Sequence, residues 1–123
     1  MLDANLMLRQ TSDGDLDSTP ETGAAVDFGS GDTKPMNYLM TVPSMSGTGG
    51  PTLTVEIQDS DDGSSGWHTF CTLPPVNSAP AFKTRSVRSA KRYRRYVATL
   101  TGTTPNFGAV TIGCDPSGKF WGV

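Results

Sequence analysis

The chain has 123 residues, a hydrophobic content of 35% and a formal net charge of −2. This length suffices for one hydrophobic core but not for two, so residues 1–123 are predicted to form a single domain. The sequence contains no run of 18 apolar residues that could form a membrane-spanning helix. Its first residues lack the basic and apolar stretches of a signal peptide, which indicates a protein made in the cytoplasm.

Alternation of apolar and polar side chains with a period of two dominates the chain. It is clearest at 52–59, where Leu53, Val55 and Ile57 face one way and the residues between them face the other. The same alternation, and apolar runs bounded by turn residues, predict eight strands. They are 4–9, 24–29, 37–42, 52–59, 67–72, 81–87, 92–101 and 109–114.

The segments between these strands are rich in turn-forming residues. The chain has 14 Gly and 9 Pro, and clusters of Gly, Ser and Asp lie at 12–15, 30–32, 44–51 and 61–66. The prolines of 73–80 cannot donate to a strand ladder. No twelve-residue segment has the 3.6-residue spacing of a helix. We therefore predict an all-β antiparallel sandwich of the jelly-roll type, with a small barrel as the alternative.

The strand 92–101 carries apolar side chains on both faces, with Tyr96 on one face and Tyr93 and Val97 on the other. Either a bulge near Arg94 lets both tyrosines pack, or neighbouring residues partly cover both faces. We favour the second interpretation.

Two cysteines and one histidine limit the chemistry available to the chain. Cys71 and Cys114 lie in predicted strands; a disulfide between them is one alternative, and free buried thiols are favoured because the cytoplasm keeps thiols reduced. This set of residues is too small for a structural zinc site. Any Ser–His or Cys–His mechanism would have to use His68, which has no surrounding catalytic motif and is best explained as a surface or packed strand residue.

The acidic cluster at 59–62 is followed by Gly63 and is similar to the start of a calcium loop. An EF-hand requires glutamate at the twelfth position, and counting from Asp59 that position is Phe70. A polar hairpin tip explains the cluster better. The glycines at 47–50 precede Pro51 and a strand, so they do not form a phosphate-binding loop. The sequence predicts no catalytic residue, no metal, no cofactor and no small-molecule substrate.

Charge is distributed unevenly along the chain. Residues 1–62 hold 11 acids and two bases, a net charge of −9, whereas residues 63–123 hold eight bases and one acid, a net charge of +7. This distribution predicts two electrostatically different surfaces. Seven of the bases lie between Lys83 and Arg95, interleaved with tyrosines, a composition that could also bind nucleic acid.

The acidic net charge of the whole domain favours a protein partner over nucleic acid for this basic segment. A merely solvated loop is an alternative of equal weight. Phe120 and Trp121 near the C terminus are expected to dock, either on the core of their own chain or on another subunit. The predicted partner-binding residues are Arg85, Arg88, Arg92, Arg94, Arg95, Phe120 and Trp121.

A series of short motifs spans nearly the whole chain. In order they are Asp3-x-x-Leu6, Ser12-Asp-Gly14, Val26-Asp-Phe-Gly29, Gly31-Asp32 leading into Tyr38-Leu-Met-Thr-Val42, Leu53-Thr-Val-Glu-Ile-Gln58, Ser60-Asp-Asp-Gly63 with Trp67, Arg95-Tyr-Val97, Gly102 and Gly108-Ala-Val-Thr-Ile112. This series resembles the jelly-roll cement, or decoration, proteins of tailed bacteriophages. The basic run 83–95 is denser in charge than that family's pattern, and the aromatic C terminus has no counterpart in it.

The resemblance implies a structural protein of the virion, located on the outer capsid surface. It would bind the major capsid protein as a homotrimer and stabilise the joints between capsid subunits, without a catalytic residue. The alternative is a β-sandwich binding module of a phage tail or fibre, for which Trp67 and the tyrosines would be platforms for a host glycan or receptor. A hydrolase that depends on His68 is a third option.

Overall fold

The computed structural model describes residues 7–115. These residues form nine strands and one short 3₁₀ turn, Thr11–Asp13. Within this range no helix is long and apolar enough to cross a membrane. The strands are β1 (Met7–Arg9), β2 (Glu21–Thr22), β3 (Val26–Asp27), β4 (Met36–Val42), β5 (Ser46–Ser60), β6 (His68–Thr72), β7 (Ala81–Val87), β8 (Tyr93–Asn106) and β9 (Thr111–Asp115).

The strands form two antiparallel sheets, which confirms the prediction of an all-β sandwich. The four-stranded sheet has the order β1-β9-β4-β7. The five-stranded sheet has the order β2-β8-β5-β6, and β3 also pairs with β8. The pairing is nested: β1 pairs with β9, β2 and β3 with β8, β4 with β7, and β5 with β6. Strands that are distant in sequence therefore lie side by side.

The core lies between the inner faces of the two sheets. On β5 the alternating residues Leu53, Val55 and Ile57 are fully buried, as the period-two pattern predicts. Each such side chain stabilises the fold by about 1.5–3 kcal/mol relative to its exposed state. Leu16 and Phe107 do not lie on a strand, but both are fully buried and belong to the same core cluster.

Strand β8 is covered on both faces, in agreement with the interpretation favoured for 92–101. Tyr96 is buried in the core, and Tyr93 and Val97 on the other face are half-buried. The pairing of β8 with β5 is regular from Tyr93 to Thr101, so no bulge occurs near Arg94.

Two central strands are longer than predicted, because the turn cluster at 44–51 is mostly strand. β5 begins at Ser46, and β8 continues to Asn106 to pair with it. Two register shifts interrupt this pairing, and Gly47, Gly49 and Gly50 adopt positive φ angles of 119°, 75° and 70° there. Bulges of this kind break the period-two alternation, so the pattern does not reveal the strand.

Elsewhere the differences are at strand boundaries. The short strand β2 was not predicted, and the predicted strand 24–29 is reduced to Val26–Asp27. Of the predicted strand 4–9, Met7–Arg9 is observed and the rest lies outside the described residues. The last strand is shifted by one or two residues, to Thr111–Asp115.

Both cysteines are free and buried, as favoured from the sequence. Cys71 lies on β6 of the five-stranded sheet and Cys114 on β9 of the four-stranded sheet. Burial raises the pKa of Cys71 to about 11 and that of Cys114 to about 12. Both side chains are therefore neutral thiols at neutral pH and serve as small core residues.

Candidate interaction surface

The basic segment does not form one patch, because several of its bases pair with acids of the first half of the same chain. Arg92 donates from Nε and Nη2 to the two carboxylate oxygens of Asp27 at 2.6 and 2.7 Å. Lys91 Nζ lies 3.3 Å from Asp61 Oδ2. The uneven charge of the sequence is thus partly neutralised within the fold, and for these bases the prediction of two separate charged surfaces is wrong.

Arg94 also pairs with an acid of the first half of the chain, and its side chain lies inside the protein. Its side chain is 0% exposed, Nη1 donates to Tyr38 Oη at 2.8 Å, and Nη2 donates to Asp32 Oδ1 at 2.9 Å. The guanidinium carbon lies 4.3 Å from the centroid of the Phe28 ring. Arg94 follows the inward alternation of Tyr96 on β8, and a buried side chain cannot contact a partner. We therefore remove Arg94 from the predicted contact residues.

Arg95, the next residue along β8, points to the outer face of the five-stranded sheet. Its guanidinium carbon lies 4.2 Å from the centroid of the Trp67 ring, and its Nε donates to Gln58 Oε1 at 2.8 Å. Gln58 is in direct cross-strand register with Arg95. The stacking and the hydrogen bond hold two large, half-buried side chains in one arrangement.

The hydrogen-bonded network continues across β6 to β5. Thr69 Oγ1 donates to Glu56 Oε1 at 3.0 Å, and Gln58 Nε2 donates to Thr69 Oγ1 at 3.4 Å. We call the set Trp67, Arg95, Gln58, Thr69 and Glu56 the Trp67–Arg95 surface. Four of these residues lie on the neighbouring strands β8, β5 and β6, and Trp67 directly precedes β6, so strand pairing fixes the relative positions of their backbones.

Beside this surface, the turn between β5 and β6 packs on Tyr93. A Cβ on Gly63 would lie 2.9 Å from Tyr93 Cδ1, so the turn can approach the ring only with glycine there. The Asp62 carboxylate accepts hydrogen bonds from the backbone N–H groups of Ser64 and Ser65, both at 2.9 Å. These bonds hold the pKa of Asp62 well below its usual range. The acidic cluster is a hairpin tip, as interpreted, and residues 7–115 contain no group of three metal-ligating side chains.

The remaining predicted contact residues lie elsewhere. Arg85 is exposed on β7, an edge strand of the four-stranded sheet, and Arg88 follows that strand with its Nη1 3.3 Å from the carbonyl oxygen of Asp32. Phe120 and Trp121 lie outside the described residues. Arg85 and Arg88 therefore share neither a strand nor a sheet with Arg95.

A serine, an aspartate and the histidine meet where β5 passes the loop before β8, a juxtaposition the sequence did not reveal. Ser89 Oγ donates to Asp59 Oδ2 at 2.5 Å, and His68 Nδ1 lies 3.9 Å from Asp59 Oδ1. A nucleophilic serine requires its hydroxyl to face a base and the substrate. Here the hydroxyl faces the acid and is buried, while the His68 side chain is 73% exposed. The arrangement ties two chain segments together, and His68 is a surface strand residue.

Sequence reasoning missed Trp67 and Gln58 as partners of Arg95. The bulge between Ile57 and Gln58 sets the register of β6 on β5, and no local pattern shows it. One signal was available, because Trp67 is a large aromatic residue at the start of the predicted strand 67–72, and tryptophans are enriched in binding sites. No protein-family model matches the chain, and the search of curated proteins finds no match.

Proposed function

We propose that the chain is a structural, non-enzymatic binding protein, a capsid cement protein of a tailed bacteriophage. In this proposal it binds the outer capsid surface as a homotrimer and bridges major capsid protein subunits. The observation that carries the proposal is the Trp67–Arg95 surface on the five-stranded sheet. The nested strand pairing supports the jelly-roll interpretation, because a jelly roll is a long hairpin folded over into two sheets.

The Trp67–Arg95 surface has the composition of a protein-binding hot spot. Tryptophan and arginine dominate the binding energy of protein interfaces, and truncation of such a residue costs about 2 kcal/mol or more. Within residues 7–115 Arg95 donates a hydrogen bond from Nε to Gln58, which leaves the Nη groups available to bind a partner. The planar guanidinium can donate two parallel hydrogen bonds to one carboxylate. An acidic protein surface is therefore the partner chemistry that suits Arg95.

Rigidity favours this role as well. Two mobile side chains would lose rotamer freedom on binding, at about 0.5–1.5 kcal/mol each. Stacking on Trp67 and bonding to Gln58 remove that freedom before the partner arrives. A protein that binds only the assembled shell stabilises it by mass action, and many copies act in parallel. Individually modest contacts are then sufficient to stabilise the assembled shell.

The main test compares particles of the encoding phage with and without the protein. Particles that lack it should assemble but should release their DNA at a lower temperature, with normal adsorption to the host. A tail or fibre module for a host glycan predicts the opposite, namely normal heat resistance and lost adsorption. That second result would overturn the proposal.

A second test addresses the surface itself. Arg95→Glu should abolish binding to capsids, because it places a carboxylate against an acidic partner and also loses the stacking on Trp67. The matched control is Lys34→Glu, which makes the same change of charge at an exposed residue outside the sheets. Both variants should keep the β-rich circular dichroism spectrum. Equal binding by the two variants would remove the Trp67–Arg95 surface from the proposal.

The homotrimer is tested by mass photometry and by the copy number in capsid density. We expect three copies per cluster. Arg85 and Arg88 stay predicted contact residues at the edge of the four-stranded sheet, where neighbouring copies or the capsid could meet them. A monomer in solution together with isolated single copies on the capsid would contradict the trimer.

A further inference from the structure

One edge of the four-stranded sheet is long and regular enough to pair with a strand of another molecule. Strand β7 forms this edge, and all seven of its residues pair in unbroken register with β4. The other outer strands are shorter or interrupted: β2 and β3 have two residues each, β1 has three with a register shift, and β6 has five with a register shift in its pairing with β5. A regular edge strand presents a row of backbone N–H and C=O groups that can template a further strand. Among the described strands, β7 is therefore the edge best suited to unwanted pairing.

Two bases of β7 lie on the side of the strand that faces the other sheet. Lys83 is in register with Met40 and Arg85 with Tyr38, and these two β4 residues belong to the core cluster. Directly opposed residues of an antiparallel pair have their side chains on the same face. Burial raises the pKa of the Cys71 thiol on β6, and the positive charge of Arg85 partly opposes that rise. Arg85 therefore lies close to the second sheet, as the register requires.

The alternation of β7 is the reverse of what burial alone would favour. Its outer face carries Phe82, Thr84 and Ser86, and Phe82 is 43% exposed. Its inner face carries the two bases between Ala81 and Val87, and these two apolar residues pack against the core. Inward-pointing charges are one of the means by which natural proteins keep edge strands from pairing. Packing alone therefore does not explain why the bases lie on the inner face.

Pairing of β7 with β7 of a second copy would bring these bases directly opposite one another. Two antiparallel edge strands that continue one sheet are related by a twofold axis, so the same surface meets itself. In the register centred on Thr84, Lys83 of each copy lies opposite Arg85 of the other. In the registers centred on Lys83 or on Arg85, that base lies opposite its own equivalent. Opposed Cβ atoms are about 4.5–5.5 Å apart, and like charges in that position destabilise the pair.

We propose that Lys83 and Arg85 keep β7 from pairing with β7 of a second copy of this chain. Contacts between copies, including those of the proposed homotrimer, then use another surface. The inference does not depend on the proposed function, because it concerns an assembly that the chain avoids in any setting. It is compatible with Arg85 as a contact residue for an acidic surface, since only the pairing of β7 with itself sets base against base.

The test removes the two charges from the full-length chain and keeps the strand. Lys83→Thr/Arg85→Thr replaces both bases by β-branched residues that suit a strand. Analytical ultracentrifugation should show self-association at concentrations where the unaltered chain keeps its mass, with an association constant about tenfold higher because two like-charge contacts are gone. The matched control is Lys34→Thr/Lys91→Thr, which lowers the net charge equally at residues outside the strands and should behave as the unaltered chain. Lys83→Glu/Arg85→Glu sets acid against acid, so it should not associate either.

Hydrogen exchange followed by NMR locates the contact, because amides of β7 gain protection when a second strand pairs with the edge. Three results would overturn the proposal. The first is an unchanged mass of the threonine variant, folded by circular dichroism, at every concentration. The second is association without added protection in β7, and the third is equal association of the control or of the glutamate variant. If the double variant does not fold, Lys83→Thr and Arg85→Thr are measured singly, since either one removes the opposed bases from two of the three registers.

Discussion

Two arginines are completely buried in this small sandwich, and each joins the two sheets at a different place. Arg9 extends from β1 of the four-stranded sheet, and its Nε donates to Glu21 Oε2 on the five-stranded sheet at 2.7 Å. Arg94 extends in the opposite direction, from β8 to Tyr38 on β4. Both side chains are 0% exposed. They differ in the environment of the carboxylate that balances the charge.

The carboxylate of the Arg94 pair is buried. The Asp32 side chain is 8% exposed, and it also accepts a hydrogen bond from the Ser89 N–H at 3.1 Å. The Arg94 Nη2 group additionally donates to the Lys91 carbonyl oxygen at 3.0 Å. The carboxylate of the Arg9 pair is more accessible, since the Glu21 side chain is 24% exposed.

This difference in exposure determines what happens when one partner is removed. A buried carboxylate that loses its cation has no water to solvate it, so the loss is large. The Glu21 carboxylate is partly exposed, so water can solvate it when Arg9 is removed. We therefore expect the two arginines to differ in their contribution to stability although both are equally buried.

The largest effect is expected for Arg94→Met, which keeps a long side chain but leaves Asp32 uncompensated. The free energy of unfolding should fall by about 3–5 kcal/mol, as for other broken buried pairs. Urea denaturation followed by circular dichroism measures it. The control is Arg92→Met, the same substitution in an exposed pair two residues earlier. Equal unfolding midpoints for both variants would show that Arg94 does not stabilise the fold by joining the two sheets.

A smaller effect is expected for Arg9→Met. This variant loses the charged bond to Glu21 and the Nη1 bonds to the carbonyl oxygens of Gly14 and Val110, at 3.0 and 2.9 Å. We expect a loss of about 1.5–3 kcal/mol, the range of hydrogen bonds to charged groups. A double-mutant cycle with Glu21→Gln isolates the pair. A loss larger than that of Arg94→Met would reverse the comparison.

The Glu21 carboxylate should also make stability depend on pH. Burial alone would raise the pKa of Glu21, but hydrogen bonds from Arg9 and Tyr96 outweigh it and leave the pKa lowered. A lowered folded-state pKa stabilises the protein above the unfolded pKa of about 4.3, and this contribution is lost as the pH falls through the folded value. Urea midpoints between pH 7 and acidic pH should decline, and Glu21→Gln should flatten that decline. The control is Asp17→Asn at an exposed residue, which should leave the decline unchanged. An equal decline in the unaltered protein, Glu21→Gln and Asp17→Asn would refute the assignment of the pH dependence to Glu21.

The smallest effect is expected at the exposed pair Arg92–Asp27. The hydrogen bonds from Arg92, and a backbone bond from Gly29, lower the pKa of Asp27 to about 2. Any stabilisation is present above the unfolded pKa and is lost as the pH falls toward 2. NMR titration of the Asp27 carboxyl should show this midpoint, and Arg92→Gln should move it up toward the ordinary value. The urea midpoint at neutral pH should hardly change, because exposed pairs contribute little.

The sequence predicted the parts of the fold that depend on local alternation. Strand β7 was predicted with its observed bounds, and the inward face of β5 from Leu53 to Ile57 is correct. The extension of β5 to Ser46 could not be predicted, because glycines with positive φ and register shifts break the alternation. Strand β2 consists of only two residues, which is too short for any periodic pattern.

The candidate site was less predictable than the fold. Tyr96 faces the core, so the period-two alternation also directs Arg94, two residues earlier, inward. A run of arginines, however, is typical of a solvated surface. Arg94 can be buried because its charge is balanced by Asp32, which lies 62 positions away in sequence. In the same way, Arg95 meets Gln58 only through the register of β5 with β8. Long-range partners of this kind are determined by the whole topology and not by local spacing.

The nested pairing also determines when the protein can fold during its synthesis. Met7 on β1 pairs with Gly113 on β9, so β1 has no strand partner until β9 has been translated. The β5–β6 hairpin, in contrast, can close as soon as Thr72 has left the ribosome. Pairing of sequence-distant strands is slow, because the loop between them must be ordered first. Each nascent chain therefore carries β1 without its strand partner until β9 has emerged, and the four-stranded sheet cannot be completed before then.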